Sequence, residues 1–191
     1  CGTTLAQEYA AQCIWHLATS FCNQRTLVKK YAIPDLVTLV KTGSSVAQEM
    51  AAAALAVYGP VGSWDVAGVT SFTSLLATLS AFNEDLSEWD TSAVTHMGAM
   101  LHGACSFNQL LGFDTGSVTD MYGMFGATAF NQPLDWDTSR VTTMESTFWY
   151  AEQFNQQLAW DTSKVTTMKS TFSLSAINKP LVWDTSKVAD M

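Results

Sequence analysis

Six aspartates recur along the chain at a near-constant interval. Asp65, Asp90, Asp114, Asp137, Asp161 and Asp184 are separated by 25, 24, 23, 24 and 23 residues, and each follows an aromatic residue. Like charges about 5 Å apart repel by roughly 0.8 kcal/mol even at the dielectric of water, so stacked copies would need an offset at every repeat. Two chemistries could supply it. A cation could be shared between neighbours, or each carboxylate could accept backbone N–H bonds from the Thr-Ser turn that follows it. Calcium-binding β-helices use a Gly-rich Asp nonapeptide, and none is present. The turn reading is favoured, and no metal site is expected.

Other chemistry-bearing residues form no constellation. His96 and His102 are six apart, which is not a ligand spacing for one helix face, and His16 stands alone. Cys1, Cys13, Cys22 and Cys105 show neither C-x-x-C spacing nor a paired framework. No nucleophile elbow, Gly-rich phosphate loop or H-E-x-x-H motif occurs. No catalytic residue, cofactor or metal ligand is therefore assigned, and an enzyme is not expected.

The elements that must position these residues are repeats. Trp64, Trp89, Phe113, Trp136, Trp160 and Trp183 open six copies, the last partial, and Asn83, Asn108, Asn131, Asn155 and Asn178 recur in step with them. A period this short predicts a repeat solenoid whose coils stack, so that matching residues form columns. Val118, Met121, Met124 and Phe125 stand at i, i+3, i+6 and i+7, which predicts a short α-helix in each copy. The Phe-Asn-x-x-Leu stretch predicts a short strand or extended segment that pairs with the next coil. In such columns the aromatics form a core stack and the asparagines satisfy backbone groups in buried turns.

Residues 1–59 read differently, with a Gly/Pro boundary at 60–63. Thr4 to Glu8 matches Ser45 to Glu49 at an offset of 41, and each copy carries a capping-box spacing ahead of an alanine-rich run. Helices are predicted over about 4–20 and 45–58, with another from Pro34. The chain is 48% hydrophobic, enough for a sizeable core. Residues 1–60 carry four basic and three acidic side chains, and 61–191 carry five basic and fourteen acidic, a net −9. That balance disfavours nucleic acid. The apolar run from Val46 to Tyr58 is too short to span a bilayer. A start at Cys1 and a stop in mid-repeat read as a fragment.

Two resemblances follow from these residues. Residues 4–59, through Asn23-Gln24-Arg25, Ala32-Ile33-Pro34 and Val46-Ala47-Gln48-Glu49, resemble the armadillo repeat. Tyr31 stands where that family usually has Gly, and His16 and Val57 stand where many members carry a peptide-clamping Asn. Residues 64–191, through phrases such as Phe130-Asn131-Gln132-Pro133-Leu134-Asp135-Trp136-Asp137-Thr138-Ser139-Arg140-Val141, resemble the BspA-type leucine-rich repeat. The first copy departs, with Val66-Ala67-Gly68-Val69 for the Thr-Ser turn and Phe72 for Met. Together they imply an all-α armadillo-like segment followed by a leucine-rich-repeat-like solenoid of helix-plus-strand units. The implied role is a non-catalytic protein–protein interaction scaffold. The alternative is a secreted or cell-surface adhesin binding host, matrix or glycan. The armadillo resemblance implies an intracellular setting and the other an extracellular one; the intracellular setting is preferred. Arg140, Lys164 and Lys187 occupy a varying position after the Asp turn and form a possible partner-facing stripe.

Overall fold

The computed structural model describes residues 61–190. The chain divides into two units, Cys1–Val66 and Ala67–Met191. In the first, a 3-10 turn at Val61–Ser63 is closed by the Trp64 N–H donating to the Val61 carbonyl at 3.2 Å, and the side chains of Trp64 and Val66 are buried. The armadillo-like segment expected over 1–59 lies outside the described residues.

In the second unit, a run of single parallel bridges joins Ser71 to His96, then Asp120, Thr143, Thr167 and Asp190. Each bridge links matching positions of successive repeats. Two backbone bonds surround it. Thr119, Thr142 and Thr166 donate N–H to the matching carbonyl of the preceding repeat at 2.8–2.9 Å. Met97, Met121, Met144 and Met168 donate to the following repeat at 2.8–3.1 Å.

The expected helix-plus-strand solenoid is not what forms. Among the described residues there is no α-helix, and the pairing is isolated bridges without a named strand or sheet. The bridges also fall where a helix was expected, not on the Phe-Asn-x-x-Leu segment. The stretch after each Met is a chain of turns. In repeat 2 (89–112) the N–H groups of Met100, His102 and Ala104 close i→i−3 turns on Met97, Ala99 and Leu101. The alternate N–H groups of Met97, Ala99, Leu101 and Gly103 donate instead to carbonyls of repeat 3 (113–135).

Left-handed residues make this alternation possible. Ala99 and Gly103, Gly123 and Ala127, Ser146 and Tyr150, and Ser170 and Leu174 all have φ between 52° and 71°. Such residues recur every four positions, and an α-helix cannot pass through them. Consecutive three-residue closures reproduce the apolar spacing of a helix. Met97, Met100, Leu101, Ala104 and Phe107 are fully buried just as one helix face would be. Each buried Phe, Leu or Met contributes roughly 1.5–3 kcal/mol of burial.

No helix among the described residues is long and apolar enough to cross a membrane.

Candidate functional site

The aspartates are held locally. Ser92, Gly116, Ser139, Ser163 and Ser186 donate their backbone N–H to Oδ1 of Asp90, Asp114, Asp137, Asp161 and Asp184 at 2.9–3.1 Å, closing a small turn two residues long. The Ser92 hydroxyl adds a 2.7 Å bond to Asp90. Hydrogen bonding by the serine side chain, then by its backbone, holds Asp90, Asp137 and Asp184 below the usual carboxylate range. For Asp161 the backbone bond from Ser163 comes first. Arg140 and Lys164 lower Asp137 further, Lys164 lowers Asp161, and Lys187 lowers Asp184. The basic side chains thus act on Asp137, Asp161 and Asp184, while Asp90 is held by Ser92 alone. Among the described residues, no three His, Cys, Asp or Glu side chains gather to hold a metal.

The asparagines lie along the surface, exposed or half-buried, rather than in buried turns. Oδ1 of Asn83, Asn108, Asn131 and Asn155 accepts the backbone N–H of the next repeat's Asn at 2.8–3.0 Å. These side chains join the extended segments in place of strand pairing. The aromatic openings stack in the core: Trp89, Phe113, Trp136, Trp160 and Trp183 lie 6.1–6.4 Å apart at nearly parallel angles. Indole N–H groups of Trp136 and Trp160 donate to the Leu111 and Leu134 carbonyls. Trp64 and Asp65 belong to the first unit.

Two threonine columns escaped the sequence reading. Buried Thr91, Thr115, Thr138 and Thr162 donate their hydroxyls to the Asp carbonyl of the next repeat at 2.9–3.0 Å. Thr95, Thr119, Thr142 and Thr166 donate theirs backward at 3.0–3.2 Å. The signal was the invariant Thr after each Asp from Asp90 onward.

One surface breaks this regularity. A groove of about 440 Å³ crosses repeats 2 to 5. Its floor is the column of left-handed small residues Ala99, Gly123, Ser146 and Ser170. Tyr122 forms one wall, and His102 with Trp149 the other. Tyr122 and Trp149 are 49% and 38% exposed. His102 and Trp149 stack at 6.1 Å and 9° although they are two repeats apart. Gly126 occupies the matching position between them, and a Cβ there would collide with the His102 ring. Tyr150, 45% exposed, extends the aromatic surface beside Trp149 at 5.8 Å.

A family profile described as "Mycoplasma protein of unknown function, DUF285" matches residues 45–135 and again 134–191. The chain belongs to this family. No curated protein and no solved structure matches it. Membership in DUF285 corrects both resemblances drawn above. The match begins at Ser45, so it takes the second armadillo-like copy into the same family as the repeats that follow. The BspA-type leucine-rich repeat is not the family found, and the DUF285 repeats described here lack its expected helices. The armadillo, leucine-rich-repeat and solenoid assignments are withdrawn with it.

Proposed function

We propose that this chain is a non-catalytic scaffold that binds another protein through the aromatic face around Trp149. The observation that carries this reading is the contrast between faces. Asp, Asn and Thr columns are occupied in bonds within and between repeats. By contrast Tyr122, Trp149 and Tyr150 are large and exposed, and Trp149 and Tyr150 adjoin. Exposed aromatic clusters of this kind are enriched at protein contacts. Arg140, Lys164 and Lys187 do not line the groove, so in this reading alanine at all three should leave partner binding intact.

The test begins with photo-cross-linking of the wild-type chain and a Tyr122→Ala/Trp149→Ala variant to proteins of its native setting. Captured proteins are then purified and titrated. At least one should bind wild type and lose about tenfold or more affinity for the variant. Saturable binding of glycans alone, with no purified protein binding, would overturn the proposal in favour of a glycan adhesin.

A further inference from the structure

The chemistry of the groove narrows the class of its occupant. We infer that it takes an extended, basic, proline-containing segment of the partner protein, an inference that rests on the protein-binding reading above. The first argument comes from the floor. N–H groups of Ala99, Gly123 and Ser146 donate to the Tyr122, Glu145 and Lys169 carbonyls, while their own carbonyls accept from His102, Gly126 and Trp149. An added strand would find no free backbone partner at these three levels, which disfavours β-augmentation over repeats 2 to 4.

A polyproline-II segment has no such need. It forms no internal hydrogen bonds and proline has no N–H, so only its carbonyls require donors. The Ser146 and Ser170 hydroxyls, the Tyr122 phenol and the Trp149 indole N–H border the groove, and none has a protein hydrogen-bond partner among the described residues. The exposed rings of Tyr122 and Trp149 supply flat faces for pyrrolidine rings. Length agrees as well. Four repeats about 4.8 Å apart give a floor about 14 Å long, which seats about five residues at 3.1 Å each.

Charge complementarity sets the sign of the flanking residues. Asp120 accepts the Tyr122 backbone N–H at 2.8 Å and its carboxylate lies against Gly98, which puts an acidic group at the Tyr122 end of the groove. Glu145 occupies the position of Tyr122 one repeat on, whereas Lys169 follows only in repeat 5 (160–182). The acidic end therefore lies toward Tyr122, and an arginine or lysine of the ligand belongs there.

Fluorescence anisotropy with a labelled Pro-Pro-x-Pro peptide flanked by arginines tests this. Saturable binding to the wild-type chain is expected, weakening with added salt. Trp149→Ala and, separately, Tyr122→Ala should each lose about tenfold or more affinity with an unchanged melting temperature. The inference is overturned if the Pro→Ala peptide binds equally well, if an Arg→Glu peptide binds better, or if nothing saturates below about 1 mM. Should a purified protein partner lose affinity for Trp149→Ala while no proline-containing peptide saturates, this assignment fails and the protein-binding reading stands; should that partner bind Trp149→Ala as tightly as wild type, both fail. Should only a soluble oligosaccharide saturate the groove, both fail.

Discussion

Two threonine-to-valine substitutions separate a hydroxyl that is needed from one that is duplicated. Thr138 is 1% exposed, and its Oγ1 donates to the Asp161 carbonyl at 2.9 Å across the interface between repeats 4 (136–159) and 5. Valine keeps the shape and removes the donor, and no backbone N–H donates to that carbonyl. Losing this part-buried bond costs about 0.5–1.5 kcal/mol. Thr142 makes a similar bond backward, to the Thr119 carbonyl at 3.1 Å. There the Thr142 N–H already donates to the same oxygen at 2.9 Å, and the side chain is exposed. Thr142→Val should therefore fall within about 0.5 kcal/mol of wild type. In a unit of this size each kcal/mol moves the melting temperature by roughly 3–6 °C. Calorimetry should place Thr138→Val clearly below wild type and Thr142→Val beside it. Hydrogen exchange should localise the loss to the interface of repeats 4 and 5, which the Thr138 hydroxyl bridges. Equal melting temperatures for the two variants would refute the argument that buried threonines tie one repeat to the next.

Two further outcomes follow from the geometry. Gly126→Ala should fold, since the His102 ring is a side chain that can give way, but the His102–Trp149 stack must separate; NMR should show the imidazole protons losing their ring-current shift, and an unchanged spectrum would contradict the contact. The aspartates Asp90, Asp137, Asp161 and Asp184 have folded pKa values held down by hydrogen bonds, so their stabilisation is present above the unfolded carboxylate value of about 4 and is lost as pH falls through the lower folded value. Acid titration of unfolding should fall less steeply for Asp137→Asn, whose amide oxygen still accepts the Ser139 N–H, and an identical acid limb would remove Asp137 from the account.

The repeat period, the aromatic openings and the Asp turns were all legible from spacing. The backbone path was not. Val118, Met121, Met124 and Phe125 carry a helical period, but Gly123 at φ 57° and Ala127 at φ 52° convert that stretch into linked turns. Glycine marks the left-handed site at Gly103 and Gly123, yet Ser146, Tyr150, Ser170 and Leu174 adopt the same conformation without any such marker. Ser146 and Tyr150 are held there by N–H bonds to the Lys169 and Ser173 carbonyls of the next repeat at 2.9 and 2.8 Å. Local propensity cannot register a conformation imposed by a neighbour 23 or 24 residues away. The Asn ladder forms between repeats as its spacing suggested, but it lies at the surface, because spacing alone does not say whether a column faces the core or the solvent.

The groove was hidden for the opposite reason, because it is built from irregularity. Tyr122 shares its repeat position with Gly98, Glu145 and Lys169, and Trp149 shares its own with Ala77, His102, Gly126 and Ser173. Neither position has a pattern that a scan for recurrence would find. Both flank the left-handed floor, where the Ala99, Gly123 and Ser146 backbone groups are bonded within and between repeats and side chains are free to differ. A glycine at one level lets rings from the levels on either side meet over it, as His102 and Trp149 do. Under the proposed binding reading, side chains at these two positions per repeat can change without touching the Thr, Asn and aromatic columns that hold the repeats together.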